Sequence, residues 1–172
     1  MKTITQKQIS HLGKMEDRKN QYDDSKEMKV FRNFCKKHGL ILVDHPKGQK
    51  DVDCAVYDKN GELQFYADLE RSRKDKWNND WPYYWSRVSF LQRKDRYIDK
   101  DDPFKMVWFN HQLTKIIVCK KEQILKYPIE TFEYCGKIDI RRSIPFDETT
   151  LFGTGFSDRE KSLFKNRKEI KL

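Results

Sequence analysis

Three acidic residues have a spacing that suits a metal site: Asp53 is followed, after fourteen residues, by Asp68 and then by Glu70. Carboxylate oxygens suit Mg²⁺, which usually takes one or two carboxylates together with the phosphates of its substrate. A metal held in this way activates a water molecule and neutralises the charge that builds on phosphorus during in-line displacement. The acids therefore indicate hydrolysis of phosphodiester bonds, provided that the fold brings them together.

A β-hairpin is the element that can bring these acids together. Residues 52–57 and 62–69 are both β-prone, and the Asn-Gly pair between them is a strong hairpin signal. Side chains alternate along a strand, so we expect Asp68 and Glu70 on one face of the second strand. Antiparallel pairing about the turn then places Asp53 at the same end of the sheet.

Two alternatives to this interpretation stay open. A solvated strand face would also carry Asp68 and Glu70, although acids are depleted in strands. Asp51 shares a face with Asp53 and could replace it as the first acid. We prefer Asp53 as the first acid, because we expect Asp51 in the preceding loop.

The rest of the chain predicts an α/β (α+β) fold, in which helices flank a central mixed sheet. Apolar residues at three- and four-residue spacing indicate an amphipathic helix before the hairpin, and a capping-box pattern at Ser157 indicates another near the end. Pro82 suits the first turn of a helix, although residues 88–91 could instead be extended. The predicted helices are 20–38, 82–92, 121–126 and 158–170, and the strands besides the hairpin are 40–43, 105–109, 116–119 and 132–141.

The acids and their placement resemble the PD-(D/E)xK nuclease superfamily, the restriction-endonuclease-like group. The segment from Asp53 to Asp68-Leu69-Glu70 matches its acidic motif, and a helix and a strand precede the hairpin as they do in that family. The resemblance implies a core of a helix, three strands, a helix and a further strand. It covers about residues 20–120 of one domain spanning 1–172, with 121–172 as an elaboration. It also implies an endonuclease that uses Mg²⁺, or Mn²⁺, to cleave DNA.

One residue departs from the family's pattern, because Glu70 stands where the family carries its lysine. Some restriction endonucleases that resemble this family carry an acid there, and in other members the lysine lies on a neighbouring element. Small phage-type nucleases of this superfamily look similar, with an acidic strand end, then tryptophans, then an Arg-Lys pair. Lys94, which follows Arg93, is therefore the candidate for the displaced catalytic lysine. An ordinary solvated Arg-Lys pair is the alternative.

Glu27 and a set of basic residues complete the candidate site. Glu27 lies four residues before Phe31, on the helix stripe expected to face the core, where a carboxylate is costly without a partner. Some superfamily members use a first-helix glutamate as an extra metal ligand, and a salt bridge to Lys26 or Lys50 is the alternative. The bases that we expect to contact nucleic acid are Arg71, Arg73, Lys74, Lys76 and Arg93.

The aromatic residues among these bases have two interpretations. Rings interleaved with cations can stack on unpaired bases while the cations hold the backbone. The three- and four-residue spacing of Trp81, Tyr84, Trp85 and Val88 is instead typical of a helix that covers a sheet. We expect core packing to explain most of these rings.

Composition narrows the class of protein. Among 172 residues, 37% are charged and 13% aromatic, which indicates a folded domain with a heavily charged surface. A net charge of +9 favours a polyanionic partner, although a compositional bias towards lysine is the alternative. The four cysteines and four histidines show no zinc-ligand spacing, and no signal peptide or membrane span is evident. We expect a cytoplasmic (intracellular) protein of phage type that binds no membrane.

The leading hypothesis is a metal-dependent nuclease acting on DNA, with a homodimer favoured if both strands of a duplex are cut. One rival is a catalytically inactive nucleic-acid-binding module, which the missing lysine supports and the clustered negative charge opposes. Another rival is a small phage-type protein that inhibits a host factor. Magnesium separates these hypotheses, because it should stabilise the nuclease and leave the inhibitor unaffected.

Overall fold

A seven-stranded mixed β-sheet forms the centre of the computed structural model, which describes residues 25–48 and 51–172. In spatial order its strands, numbered along the chain, are β1 (Ile41–Asp44), β2 (Cys54–Tyr57), β3 (Leu63–Arg71), β5 (Phe104–Phe109), β6 (Lys115–Lys120), β9 (Thr150–Gly153) and β10 (Arg167–Glu169). A second sheet contains β4 (Val88–Leu91), β8 (Lys137–Ile144) and β7 (Ile129–Tyr134). The helices of the described residues are α1 (Lys26–Lys37), α2 (Asp95–Ile98), α3 (Lys121–Leu125), α4 (Asp158–Leu163) and the 3₁₀ helices Gln92–Lys94 and Phe146–Glu148. The fold is therefore of the α+β class.

The first helix is confirmed, and local signals explain its bounds. The Ser25 hydroxyl accepts a hydrogen bond from the Met28 N–H at 3.4 Å and caps the start of α1. Gly39, at a φ of +70°, follows its last turn in the left-handed conformation that commonly ends helices. Residues 20–24 of the predicted helix lie outside the described residues.

The hairpin that carries the acids is also confirmed, as β2 and β3. Asp58 closes its turn, since its carboxylate accepts hydrogen bonds from the N–H groups of Asn60 (2.8 Å) and Glu62 (3.0 Å). Gly61 adopts a φ of +81°, a conformation that other residues rarely reach. Because β1 pairs antiparallel with β2, three antiparallel strands follow one another along the chain.

Strands β3 and β5 run parallel, which requires the chain to cross over between them. The crossover contains β4, the first 3₁₀ helix and α2. In the parallel register Asp68 lies beside Met106, and Glu70 lies beside Trp108. Antiparallel β6 and β9 follow β5, and β10 pairs parallel with β9 at the far edge. The last third of the chain thus adds two strands to the main sheet and two to the second sheet.

The two faces of the main sheet bury different cores. On one face α1 packs against the sheet, for example through Phe31 and Phe65. The opposite face buries a larger cluster, because the second sheet and the aromatic segment of the crossover cover it. Alternation along β3 places Asp68 and Glu70 on the side of this larger cluster. Members of the larger cluster include Tyr66, Trp77, Trp81, Phe90, Met106 and Ile144.

The predicted helix over 82–92 is wrong, and the extended alternative is right. The strand Val88–Leu91 pairs antiparallel with β8. The Trp81 indole N–H donates to the Trp85 carbonyl oxygen at 2.8 Å, which fixes the turn that precedes this strand. Along β4 buried and half-buried residues alternate, the two-residue period of a strand.

Two predictions in the last third of the chain also change. The predicted strand 132–141 is a hairpin of β7 and β8, joined at Cys135 and Gly136, whose φ values are +49° and +72°. Positive φ at both central residues is typical of a tight hairpin turn. The predicted helix 158–170 begins with its capping box but ends at Leu163, because β10 pairs with β9.

The remaining predicted elements are confirmed as β1, β5, β6 and α3, each within two residues of its predicted bounds. Within the described ranges, no helix has the length and apolar character that crossing a membrane requires.

Candidate active site

Three acidic residues meet where β2 begins and β3 ends. Asp68 and Glu70 lie on β3, and Asp53 directly precedes β2. The Asp53 N–H donates to the Ala67 carbonyl oxygen at 3.1 Å, and the Asp53 carboxylate accepts from the Leu69 N–H at 2.7 Å. These two bonds hold Asp53 level with Asp68 across the hairpin, as the sequence predicts.

Lys94 adds a positive charge to these acids. Its Nζ donates to Asp68 Oδ2 at 2.5 Å and to Glu70 Oε2 at 2.8 Å. The side chains of Asp68 and Lys94 are only 8% and 14% exposed, whereas that of Glu70 is 42% exposed. We call Asp53, Asp68, Glu70 and Lys94 the carboxylate–lysine cluster. The lysine that the sequence singles out is thus in direct contact with two of the three acids.

The crossover fixes the position of Lys94. This residue ends the 3₁₀ helix after β4, and the next residue, Asp95, is buried. Asp95 accepts hydrogen bonds from the Arg142 guanidinium at 3.1 and 3.3 Å, and Arg142 also donates to the Tyr127 carbonyl oxygen at 2.6 Å. Charge-assisted bonds of this kind are stronger than neutral ones. The second sheet therefore holds the turn that presents Lys94 to the acids.

Asp53 is a carboxylic acid whose pKa is strongly raised. Burial, followed by the charge of Asp68, raises the pKa of Asp53 from 3.8 to about 7, although the Leu69 N–H and Lys94 oppose the shift. The Asp68 carboxylate is close enough to contribute to the raised pKa of Asp53, and burial raises the pKa of Asp68 as well. Near neutral pH Asp53 is therefore the acid that readily gains or loses a proton.

Lys94 remains charged within the cluster. Burial by itself would lower the pKa of Lys94, but Asp68 and Glu70 raise the pKa overall. Burial also raises the pKa of Asp68, against the opposing charge of Lys94. The cluster can therefore present a fixed positive charge to a phosphate oxygen beside carboxylates that can bind a metal.

Glu27 lies on the α1 side of the cluster and contacts a base. Its carboxylate lies 3.4 Å from Arg71 Nη1, and both residues line a cavity of about 310 Å³ that Asp53 and His45 also border. Arg71 donates two further hydrogen bonds to the His111 carbonyl oxygen at 2.5 and 2.8 Å. Glu27 therefore borders the same cavity as Asp53. Arg71, which the sequence predicts to contact nucleic acid, is instead engaged in bonds within the protein.

The geometry does not favour either alternative from the sequence, that is, Asp51 as the first acid or a salt bridge from Glu27 to Lys26. The Asp51 carboxylate accepts from the Val52 N–H at 2.7 Å and lies 3.7 Å from Lys100 Nζ. Asp51 is therefore engaged by its own loop and by Lys100, and Asp53 is the acid that lies level with Asp68 across the hairpin. Glu27 pairs with Arg71 rather than with Lys26, and Lys50 lies outside the described residues.

The other predicted nucleic-acid contacts lie on the surface. Arg73 is exposed and pairs with a neighbouring aspartate at 3.0 Å. Lys76 is exposed, and its Nζ lies 3.4 Å from the Tyr84 hydroxyl oxygen. Lys74 and Arg93 are exposed as well. These four bases stay candidates for contact with phosphate.

The four carboxylates predicted to bind metal are not assembled as one group. The described residues contain no set of three or more His, Cys, Asp or Glu side chains that could hold a metal ion. Glu70 contacts Lys94 and Glu27 contacts Arg71, which leaves Asp53 and Asp68 as the facing pair. Two carboxylates suit Mg²⁺, which usually completes its coordination with water and substrate phosphate.

A second cavity, of about 610 Å³, borders Glu70 and is not predicted from the sequence. It lies between the second sheet and the aromatic segment before β4, and we call it the aromatic cavity. The sequence places Trp108 on a predicted strand, but only the parallel register shows that this strand runs beside Glu70. Gly136 indicates the tight turn of the hairpin whose second strand contains Arg141. The residues that define the aromatic cavity are Glu70, Tyr84, Trp85, Trp108, Phe132 and Arg141.

Comparison of the chain with protein-family models, with curated proteins and with solved structures finds no match. The function therefore has to be argued from the carboxylate–lysine cluster and the cavities beside it.

Proposed function

We propose that the chain is a metal-dependent nuclease that hydrolyses DNA phosphodiester bonds at the carboxylate–lysine cluster. The observation that carries the proposal is the contact of Lys94 with Asp68 and Glu70, next to Asp53. Phosphodiester hydrolysis requires ligands for a cation and positive charge at the phosphate, and this cluster offers both. The net charge of +9 supports a polyanionic substrate.

The order of elements supports the same proposal. Helix α1, three antiparallel strands, a crossover and a parallel strand follow the order of the PD-(D/E)xK core. The acids lie at the second and third strands, as in that family. Two features differ from the family's pattern: the crossover helix α2 has only four residues, and the lysine comes from the crossover rather than from position 70.

Each residue of the cluster has a role in the proposed mechanism. Asp53 and Asp68 are the residues that would hold Mg²⁺ or Mn²⁺, with Asp53 in its ionised form. An ion held there would supply an activated water and neutralise charge on the phosphorus. Lys94 donates to a non-bridging phosphate oxygen, and Glu70 holds the Lys94 ammonium group at the edge of the cluster.

Cleavage of supercoiled plasmid and of single-stranded DNA in Mg²⁺ or Mn²⁺ tests the proposal. We expect Asp68→Asn and Lys94→Met to slow cleavage by about 100-fold or more, the usual loss when an electrostatic contact to the transition state is removed. Asp147→Asn and Lys59→Met make the same charge changes at exposed positions outside the cluster and should keep the wild-type rate. Equal rates in all four variants, or no cleavage of any substrate, would contradict the proposal.

The same samples separate the two rival functions. An inactive nucleic-acid-binding module binds labelled DNA without cleaving it, and its affinity rises when Asp68 becomes neutral. An inhibitor of a host factor neither binds DNA nor gains thermal stability from Mg²⁺. A nuclease binds DNA, cleaves it and is stabilised by Mg²⁺ through Asp53 and Asp68.

A further inference from the structure

The aromatic cavity has walls of two kinds. Its floor is one face of the second sheet, to which β8 contributes Arg141 and Ser143 and β7 contributes Phe132. The facing wall consists of aromatic rings from the crossover and from β5, chiefly Trp85 and Trp108. A volume of about 610 Å³ lies within the range of small-molecule binding pockets. The cavity therefore has room for an organic ring and the polar groups attached to it.

The aromatic wall is held in place by the core behind it. Trp85 and Trp108 contact each other, with ring centroids 5.2 Å apart and planes tilted by 33°. Trp81, fully buried, packs edge-on against both rings and donates its indole N–H to the Trp85 carbonyl oxygen. On the floor, the Arg141 guanidinium lies 4.1 Å from the centroid of the Phe132 ring. The cavity thus offers pre-formed flat surfaces, and an aromatic ligand can stack on them.

Two buried donors in the lining lack a hydrogen-bond partner among the described residues. They are the indole Nε1 of Trp108 and the guanidinium Nε of Arg141. Buried donors in folded proteins are nearly always paired, so two orphans at one cavity indicate a ligand with acceptor atoms. Both atoms are shielded from water. A ring that stacks on Trp85 or Trp108 should change the tryptophan fluorescence.

The charges around the cavity favour a neutral ring over a phosphate. Its lining contains two carboxylates, Glu70 and Glu130, and two guanidinium groups, Arg87 and Arg141, so it has no net charge to attract a phosphate. The carboxylates can accept hydrogen bonds from the amino groups of a ring. Arg87, which is exposed at the same cavity, can instead contact the backbone outside. Glu70 belongs to the carboxylate–lysine cluster as well, so the cavity and the cluster adjoin.

We infer that the aromatic cavity binds an unpaired nucleobase of the strand whose phosphate lies at the carboxylate–lysine cluster. The inference rests on the proposed function and names its substrate class: DNA that contains unpaired nucleotides. A paired base has to leave its stack to enter a cavity between a sheet and an aromatic wall, and this costs several kcal/mol of unstacking energy in a duplex. An already unpaired base avoids that cost, so single strands, flaps and gaps bind in preference to an intact duplex.

Binding of two tetranucleotides in EDTA, where no cleavage occurs, tests the inference. One probe is a thymidine tetranucleotide, and the other is an abasic tetranucleotide of the same charge. We expect the natural probe to bind at least about tenfold more tightly and to quench tryptophan fluorescence, because one stacked base adds an affinity of this order. Equal affinities would overturn the inference, since the protein would then contact only the backbone.

Neighbouring tyrosines provide a matched pair of variants. Tyr84 lines the cavity and is 52% exposed, whereas Tyr83 is 79% exposed and lies outside the lining. Tyr84→Ala should weaken binding of the natural probe at least threefold and leave the abasic probe unchanged, and Tyr83→Ala should change neither. Trp108→Phe, which keeps a ring but removes the indole N–H, should also weaken only the natural probe. Loss of affinity for both probes, or none, in Tyr84→Ala would contradict the inference.

The outcomes for the cavity and for the nuclease proposal can be told apart. Cleavage of DNA with no preference for the natural tetranucleotide overturns the cavity inference and leaves the proposed function standing. Preference for the natural tetranucleotide without cleavage in any metal overturns the proposed function, and the base-binding cavity stands alone.

Discussion

Replacing Asp53 by asparagine should remove most of the dependence of stability on pH between pH 4 and 8. In the folded protein Asp53 keeps its proton up to about pH 7, because burial and the charge of Asp68 raise its pKa to about 7. In the unfolded chain the carboxyl group ionises near 3.8. Between these pH values the folded state binds more protons than the unfolded state. The free energy of unfolding therefore falls as the pH rises.

The size of the effect follows from the gap between the two pKa values. About three pKa units correspond to roughly 4 kcal/mol, since one unit is about 1.4 kcal/mol. This stability is fully present below about pH 4 and is lost as the pH rises through about 7. Asparagine stays neutral at every pH, and its side-chain oxygen can accept from the Leu69 N–H as the Asp53 carboxyl group does. The free energy of unfolding of Asp53→Asn should thus exceed that of the wild type by roughly 4 kcal/mol at pH 8 and by under about 1 kcal/mol at pH 4.

Urea denaturation at constant ionic strength, in EDTA and at each pH unit from 4 to 8, measures this effect. Asp147→Asn removes one exposed carboxylate and should follow the wild-type curve. Under the proposed function Mg²⁺ provides a second readout, because it would compete with a proton for the Asp53 carboxylate. Mg²⁺ should therefore raise the thermal midpoint of the wild type more at pH 8 than at pH 6, and should have little effect on Asp53→Asn.

Two results would refute this reasoning. If the wild-type free energy of unfolding does not fall between pH 4 and 7, Asp53 is ionised in the folded protein. If Asp53→Asn is less stable than the wild type at pH 8, the folded protein stabilises the ionised form of Asp53 and not its neutral form.

Three further substitutions test how the site is supported. Glu160→Ala should lower the free energy of unfolding by about 3–5 kcal/mol in urea, because it leaves the buried Lys115 ammonium group without its carboxylate at 2.5 Å. Gly153→Ala should lower the free energy of unfolding by more than about 1 kcal/mol, because a Cβ at this φ of +140° would clash with the Thr114 carbonyl oxygen. An unchanged thermal midpoint would contradict this prediction. Ser157→Ala should lower the free energy of unfolding by about 1 kcal/mol, because the Ser157 hydroxyl accepts a hydrogen bond from the Glu160 N–H at 3.0 Å. The amide protons of helix α4 should then exchange faster.

The hairpin and its acids could be predicted because their determinants are local. The Asp58 carboxylate and the freedom of Gly61 fix the turn, and the two-residue period of a strand fixes which side chains share a face. Asp53 then meets Asp68 through pairing of neighbouring strands. Lys94 was anticipated only from the resemblance to a family, since its contact depends on how the crossover packs.

The errors arose where distant contacts override local preference. Residues 81–88 have the aromatic spacing of a helix, but pairing of β4 with β8 and the indole bond of Trp81 favour an extended chain. The end of α4 is likewise set by pairing of β10 with β9, about fifteen residues apart in sequence. The aromatic cavity could not be predicted for the same reason, because Trp108 and Arg141 meet only through two different sheets. Local sequence patterns contain no information on such pairings.

The dependence of Lys94 on Arg142 determines when the carboxylate–lysine cluster can form during synthesis of the chain. The hairpin that gathers Asp53, Asp68 and Glu70 is complete once residue 71 has left the ribosome, and hairpins form within microseconds. The turn that holds Lys94 is fixed only after β8 has emerged, since Asp95 binds Arg142. Until then the acids face one another without their cation, and protons have to relieve the repulsion. The carboxylate–lysine cluster is therefore complete only after most of the chain has been translated.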